Sequence, residues 1–278
     1  MKEMTLKEIQ CVELDMMKEI HHFCVENKIR YTLAYGSLIG AIRHQGFIPW
    51  DDDIDIWMPR PDYERFNKYY RSQKGFKLMS PYKDDNLFYF TKVYDDTRTH
   101  VEMKLKHHQG DLGVWIDIFP IDSVSDDMNQ FLEDYALIRK TRKKINSMRL
   151  SYTLMNKRKG FKRIIALLKF SVKRILYGSL NSLRKKHHAY CFHHVFGSTK
   201  RCSSLCCVDA YKKNKPECFD VSDFSEYELA DFEAEKFYIT KSYDRILTNI
   251  YGDYMVIPSK EQQESHLTKD GEHFYWKS

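Results

Sequence analysis

Four aspartates stand within five positions of the segment GFIPWDDDIDIW, residues 46–57. The two isoleucines and the tryptophan beside them are typical of a buried strand, on which alternate side chains share a face. Asp51, Asp53 and Asp55 would then point the same way, with neighbouring Cβ atoms roughly 6–7 Å apart. Like charges at that spacing repel unless a cation lies between them. Carboxylate oxygens are hard ligands, so the pattern predicts a site for Mg²⁺ or Mn²⁺ rather than zinc.

Three other structures can produce such an acidic segment. A solvated loop is disfavoured by the apolar residues that flank the aspartates. An EF-hand loop is disfavoured because its sixth position requires Gly, and here that position is Ile56. A charged edge strand that resists aggregation is the third alternative, and the pattern alone leaves it open.

A further acid, Asp117, lies inside the apolar run GVWIDIFPID. An unpaired charge in such a run would be costly. Asp117 is therefore either a buried acid satisfied by backbone donors, or a third metal ligand or general base. The acidic segment at 51–55 favours the second interpretation.

The elements around the acidic segment must position these groups. A short strand over 31–35 is broken by Gly36 and Ser37, and a short helix over 38–44 follows, which Gly46 ends. Free backbone N–H groups and the helix dipole at such a turn suit a phosphate. The turn is not a Walker loop, because no Gly-Lys-Ser/Thr follows at the required spacing.

The rest of the chain predicts an α+β protein, because strands crowd the first 120 residues and helices follow. Thr5 and Glu8 have capping-box spacing at the start of the first helix. The predicted helices cover 6–27, 61–70 and 242–251, and the predicted strands cover 54–58, 87–93, 100–105 and 114–119, with Pro120 ending the last. We expect a catalytic core over 1–125, a mostly helical basic region over 126–225, and a C-terminal part over 226–278 that packs back on the core.

A strand, a Gly-Ser turn, a short helix and a strand bearing Asp-x-Asp resemble the nucleotidyltransferase superfamily. The string AYGSLIGAIRHQGFIPWDDDIDIWMPRPDYERF goes further and resembles the LicD family of phosphotransferases, whose relatives include fukutin and fukutin-related protein. The segments TKVYDDTRT, VWIDIFPID and YGDYMVIP, followed by His266, stand in the order of that family. The resemblance covers about residues 5–125 and 232–266, and implies a nucleotidyltransferase-like mixed sheet with flanking helices and a helical, basic insertion.

The resemblance implies a metal-dependent transfer of a phospho-alcohol group, commonly phosphocholine from CDP-choline, to a sugar hydroxyl, with release of CMP. The acceptor would be a cell-surface glycan precursor of teichoic acid, lipopolysaccharide or capsule. Gly36 and Ser37 would contact donor phosphate. Asp53 and Asp55 would ligate Mg²⁺ or Mn²⁺, with Asp51 as a further ligand or a supporting acid. Asp117 would ligate the metal or deprotonate the acceptor. The choice among choline, ribitol and glycerol phosphate lies outside these motifs.

Several other residues are candidates for donor or substrate contacts. Lys92 and Arg98 could hold the diphosphate, and Arg43 follows the Gly-Ser helix, although such residues are often surface charges. Weaker candidates for the substrate site are Trp50, Tyr251, Asp253 and His266.

The net charge of +6 hides an asymmetry. Residues 139–208 contain 19 Lys and Arg and no Asp or Glu, which leaves 26 basic and 39 acidic residues elsewhere, a net charge of −13. Within this segment, FKRIIALLKFSVKRIL predicts a helix with one apolar stripe and a basic opposite side. It would lie on anionic lipid beside a lipid-linked acceptor, through residues 139–186, or pack in the core. Nucleic-acid binding is disfavoured, because no known motif accompanies the basic stretch and the remainder is acidic.

Seven irregularly spaced cysteines and the lack of an apolar N-terminal run favour a cytoplasmic protein. The basic amphipathic helix would make it peripheral at the inner face of the cell membrane. The His and Cys residues at 187–207 fit no standard zinc spacing, so free thiols are expected and zinc is the alternative. Two other functions remain alternatives: nucleotidyl transfer to a small molecule, and a non-catalytic membrane-associated binding protein.

Overall fold

The computed structural model describes residues 1–81, 88–102, 111–207, 216–263, 265 and 271–277. The strands are β1 (Lys2–Glu3), β2 (Thr32–Leu33), β3 (Asp55–Pro59), β4 (Lys77–Met79), β5 (Thr91–Asp95), β6 (Thr99–Glu102), β7 (Val114–Val124), β8 (Arg201–Ser203), β9 (Phe219–Asp220), β10 (Tyr227–Phe232), β11 (Glu235–Thr240) and β12 (His273–Trp276). The α-helices are α1 (Leu6–Glu26), α2 (Tyr35–Ile39), α3 (Arg60–Tyr69), α4 (Met128–Lys157), α5 (Phe161–Tyr177), α6 (Leu180–Cys191) and α7 (Tyr243–Tyr251). A π-helix, Gly40–His44, continues α2, and 3₁₀ turns cover Leu205–Cys207, Val221–Phe224 and Lys260–Gln262.

The chain divides into two compact units. The first comprises the described residues of 1–121 and 219–278, and the second comprises the described residues of 122–218. The main sheet of the first unit has the strand order β2-β3-β7-β5-β4. Strands β3 and β7 are parallel, and the other neighbours on this path are antiparallel. The predicted α+β class, a mixed sheet with flanking helices, is confirmed.

Helix α1 forms where the sequence places a capping box before an apolar periodicity. The Glu8 N–H donates to Thr5 Oγ1 at 3.3 Å, and the Thr5 N–H donates to Glu8 Oε2 at 2.8 Å. Ile9, Met16 and Ile20 are then buried on one face. Each buried side chain of this size contributes roughly 1.5–3 kcal/mol relative to exposure. The predicted helix over 6–27 is confirmed to within one residue.

Strand β7 does not stop at Pro120, so the predicted end of this strand is wrong. The Asp117 N–H donates to Ile54 O at 3.0 Å, on the side of β3. Backbone nitrogens of successive residues in a strand point to opposite sides, so the nitrogen of Pro120, three residues later, points to the β5 side. The pairing of β5 with β7 has already ended there, at Thr91 and Ile118. The missing N–H of Pro120 therefore costs no ladder bond with β5, and the strand continues.

Three other boundaries differ from the prediction. Strand β2 has only two residues, because the chain already turns into α2 at Tyr35. Strand β5 begins at Thr91 and not near position 87, which itself lies outside the described residues. The helix ends with Gln45 in the left-handed conformation (φ 56°), so Gln45 and not Gly46 terminates it.

The second unit is mostly helical. The last three residues of β7 pair antiparallel with β8, and α4 contacts both α5 and α6. Its core consists of the buried side chains Val124, Phe131, Ile138, Cys191 and Leu205. Within the described part of the chain, no helix combines the length and the apolar character needed to cross a membrane.

Candidate active site

Two acids and a lysine form a row across the main sheet. Asp55 on β3 lies in register with Asp117 on β7, and Asp117 lies in register with Lys92 on β5. Residues in register on neighbouring strands point to the same face, and the strands are about 4.8 Å apart. Lys92 Nζ donates to Asp117 Oδ1. Three residues that are far apart in the sequence therefore meet on one face.

Lys92 is buried, with only 4% of its side chain exposed. Its Nζ lies 4.3 Å from the ring centre of Trp115, 4.7 Å from that of Phe88 and 5.2 Å from that of Phe90. Aromatic faces attract an ammonium group, but a buried charge also needs a charged partner. Asp117 is that partner, so Lys92 holds the Asp117 carboxylate in a fixed place on the sheet.

The turn from β2 into α2 brings the Gly-Ser pair against the acidic segment. Tyr35 adopts a left-handed conformation, φ 46°, which costs a residue with a Cβ about 1–2 kcal/mol. Its ring packs 4.6 Å from Trp57 and 5.6 Å from Phe119, measured between ring centres, and these contacts hold the turn. Next to it, a Cβ on Gly36 would overlap Asp51 Oδ2. Only glycine lets that carboxylate lie so close to the helix.

Ser37 connects α2 to the backbone that carries the acids. Its Oγ accepts the Asp55 N–H at 2.8 Å and donates to Asp53 O at 3.5 Å. The side chain is buried. In this conformation the hydroxyl positions the start of β3, and it is therefore a positioning group for Asp53 and Asp55.

Glu13 on α1 is a site residue that the sequence reasoning missed. Only 2% of it is exposed, and its Oε2 is buried without a hydrogen-bond partner among the described residues. Burial raises the pKa of Glu13 well above its ordinary value, and the charges of the neighbouring aspartates, Asp53 foremost, raise it further. One turn earlier, Gln10 Nε2 donates to Asp51 O at 2.9 Å, which ties α1 to the acidic segment. The available signal was an acid on the buried apolar face of a predicted helix.

These groups suit a hard divalent cation. The candidate ligands are carboxylate oxygens, and Gly36 leaves room for Asp51. One of these oxygens, Oε2 of Glu13, is buried with no hydrogen-bond partner in the described parts of the chain. Over the ranges that the structure describes, no three His, Cys, Asp or Glu side chains are already grouped as a metal site.

Comparison with known proteins agrees with this geometry. Residues 28–152 match the family model described as LicD/FKTN/FKRP, nucleotidyltransferase domain. Residues 28–152 form a LicD-family domain. The lipopolysaccharide cholinephosphotransferase LicD of Haemophilus influenzae is 29% identical over 96% of this chain and 97% of its own length. An uncharacterized protein of Rickettsia prowazekii is 47% identical over 17% of this chain and 18% of its own. Mannosyltransferase regulator 4 of Saccharomyces cerevisiae is 26% identical over 43% of this chain and 10% of its own.

The predicted family is thus confirmed, and the LicD domain contains the whole row of Asp55, Asp117 and Lys92. Glu13 lies before the matched range, although it contributes to the same site. The segment YGDYMVIP lies after it.

Arg43 joins the LicD domain to that later segment. Its Nη1 donates to Tyr254 O at 2.6 Å and to Val256 O at 3.2 Å. Its Nε donates to His44 Nε2 at 3.0 Å, and burial, followed by the Arg43 charge, lowers the pKa of His44. Arg43 therefore fastens the YGDYMVIP segment through two backbone carbonyl groups.

The weaker candidates are placed as follows. The Trp50 ring lies 6.3 Å from that of His44, which puts it beside the helix that follows the Gly-Ser pair. Tyr251 is the last residue of α7, and Asp253 is exposed just beyond it. His266 lies outside the described residues.

Arg98 is not brought to the acidic row of the LicD domain. Its Nε donates to Asp95, and its Nη2 lies 3.1 Å from Asp15 Oδ2. Asp95 stands three residues from Lys92 on β5, about 10 Å along the strand. Burial acts to raise the pKa of Asp95, but hydrogen bonds from Thr97 and Arg98 outweigh it and leave that pKa lowered. Arg98 is thus committed to a structural ion pair.

The His and Cys residues near 187–207 belong to the second unit. His187 Nδ1 lies 3.8 Å from Cys191 Sγ, and both side chains are buried. Burial, and then the charge of Arg142, lowers the pKa of His187 to about 3. Cys191, Cys202 and Cys206 are buried and form no disulfide with any described residue. The neutral imidazole contributes to the core of this unit.

Proposed function

We propose that the chain transfers a phospho-alcohol group, with phosphocholine as the preferred group, from a CDP-activated donor to a sugar hydroxyl and releases CMP. The acceptor would be a cell-surface glycan precursor, lipid-linked and reached from the cytoplasmic side of the membrane. The observation that carries the proposal is the row of Asp55, Asp117 and Lys92 inside a LicD-family domain. The relative from Haemophilus influenzae, which matches along nearly its whole length, supports phosphocholine as the group and lipopolysaccharide as the acceptor class.

Asp53 and Asp55 would hold Mg²⁺ or Mn²⁺, with Asp51 as a further ligand, and Asp117 would serve as the base. When bound, such a dication neutralises the donor diphosphate and stabilises the CMP leaving group. The donor set is all carboxylate, which suits these two metals.

Neighbouring side chains hold the proposed catalytic acids in place. Lys92 fixes Asp117, and Ser37 fixes the backbone of Asp53 and Asp55. In our proposal an Asp117 oxygen takes the proton of the acceptor hydroxyl while the new bond from acceptor oxygen to phosphorus forms. The bond from that phosphorus to the CMP oxygen breaks in the same displacement. The backbone at Gly36 and Ser37, at the start of α2, would face a donor phosphate.

The test is CMP release and product formation in the presence of Mg²⁺, with CDP-choline, CDP-ribitol and CDP-glycerol as donors. A saccharide derived from lipopolysaccharide serves as acceptor. We expect CDP-choline to react fastest, and an Asp53→Asn/Asp55→Asn variant to lose about a thousandfold in rate or more. The matched control is Asp231→Asn, an exposed acid on β10 that pairs with Lys236.

Two results would contradict the proposal. Full turnover by the double variant would remove the acids from the mechanism. Release of pyrophosphate from a nucleoside triphosphate, without CMP release from any CDP donor, would identify a nucleotidyltransferase instead.

A further inference from the structure

Helix α5 carries a large apolar surface that faces solvent. Ile175 is 83% exposed and Phe161 is 75% exposed. Six other large apolar side chains of the same helix are exposed as well: Ile164, Ile165, Leu167, Leu168, Val172 and Leu176. At 100° per residue these eight side chains cover about half of the helix circumference. A continuous apolar surface of this size is typical of an interaction site.

The opposite side of α5 is the side that packs against α4. Ala166 is buried there, and the ring of Phe170 lies 5.9 Å from that of Tyr152. Lys173 Nζ donates to Ser147 O at 3.1 Å and to Ser151 Oγ at 2.8 Å. The side chains that hold α5 in the second unit are therefore distinct from those of the apolar surface. The sequence left open whether this stripe packs in the core, and the exposure of its side chains answers that it does not.

Basic side chains border the apolar surface on both sides. Lys162 and Lys169 lie along one margin, and Arg163 and Arg174 lie along the other, all four of them exposed. The surrounding stretch, residues 139–208, has 19 basic residues and no acid. A second copy of this surface would bring like charges together at both margins, so self-association is disfavoured. An anionic surface with an apolar interior complements both features.

We propose that this face of α5 docks on an anionic lipid bilayer. The eight apolar side chains enter the boundary between headgroups and acyl chains, and the four basic side chains contact lipid phosphates. Docking here would bring the chain to the surface that holds lipid-linked acceptors. The inference stands on the geometry of α5 alone and is measured without donor or acceptor.

The experiment measures co-sedimentation of the full chain with vesicles of phosphatidylcholine, with and without phosphatidylglycerol. We expect binding to the anionic vesicles that weakens as salt is raised. Leu168→Ser/Ile175→Ser is expected to lower the partition coefficient about tenfold or more on anionic vesicles. Lys162→Gln/Lys169→Gln is expected to lower it about tenfold on anionic vesicles and to leave the weak binding to phosphatidylcholine unchanged.

The matched control is Val195→Ser/Val256→Ser, two apolar residues of comparable exposure outside α5, and it should bind like the wild type. Thermal melts of all variants establish that each is folded. We expect all of them to fold, because the substituted side chains are exposed. Equal recovery of the wild type and both α5 variants in the anionic pellet would overturn the proposal. So would a wild-type dimer in sedimentation velocity that Leu168→Ser/Ile175→Ser makes monomeric, without vesicle binding by the wild type.

Discussion

The role of Ser37 can be tested by removing its hydroxyl. In Ser37→Ala the Asp55 N–H loses an acceptor at 2.8 Å, and Asp53 O loses a donor at 3.5 Å. A buried donor left without a partner costs about 1–3 kcal/mol, whereas the longer bond is at the limit of the interaction and adds little. We expect the free energy of unfolding to fall by about 1–2 kcal/mol, because the Asp55 N–H is only partly buried.

The same substitution should leave the carboxylates of Asp53 and Asp55 less firmly positioned. Groups that orient metal ligands typically contribute about 10–100-fold to metal affinity. We expect Ser37→Ala to weaken Mn²⁺ binding about tenfold, as measured by isothermal titration calorimetry. The lower free energy of unfolding is measured by urea denaturation with EDTA present. The control is Ser151→Ala, a buried serine of the second unit whose hydroxyl donates to Ser147 O at 2.9 Å. It should lose stability and keep the cation affinity.

The contrary outcome for Ser37 is specific. A Ser37→Ala protein with wild-type stability and wild-type Mn²⁺ affinity, but weakened binding of a CDP donor, would show that the hydroxyl serves the donor phosphate. The positioning role that the hydrogen bonds indicate would then be wrong.

Three further substitutions have distinct expected outcomes. Gly36→Ala should change the free energy of unfolding by less than about 1 kcal/mol, because alanine favours the helix. It should weaken Mn²⁺ binding about tenfold, because the new Cβ displaces the Asp51 carboxylate. An unchanged Mn²⁺ affinity in calorimetry would contradict this. Glu13→Gln should raise the free energy of unfolding in EDTA at pH 7 by about 1 kcal/mol or more, because it removes a buried carboxyl group that faces the aspartates. This gain should shrink when Mg²⁺ is saturating. A loss of stability in EDTA would refute the prediction. His187, with its pKa lowered to about 3, stays neutral when folded, whereas the unfolded imidazole takes up a proton below about pH 6.5. Stability should therefore fall by about 2 kcal/mol from pH 7 to pH 5, and His187→Gln should remove that part of the slope in urea melts; an identical slope in both proteins would count against the assignment.

Local signals in the sequence were enough to predict much of the fold. The capping box at Thr5 and the apolar spacing after it specify α1, because both are properties of neighbouring residues. The acidic segment and Asp117 were also visible as charges inside apolar runs. What no local signal contains is the strand register that sets Asp55 beside Asp117 and Lys92, because pairing between distant segments depends on the whole sheet.

Other features were ambiguous for stated physical reasons. Glu13 reads as one more charge on a helix until its burial is known. Pro120 is a reliable end of a strand only where its nitrogen faces a paired neighbour, and here β5 has ended. The stripe of α5 has the same periodicity whether it packs in a core or lies on a membrane, and only its exposure separates the two.

The most direct test of the whole account is a Mn²⁺ titration of the purified chain, with free Mn²⁺ followed by electron paramagnetic resonance and no substrate present. If the clustered acids form a cation site, the wild type and Asp231→Asn bind the ion equally, and Asp53→Asn/Asp55→Asn loses at least about a hundredfold in affinity. Equal binding by the wild type and the double variant, or no binding by either, would contradict the account.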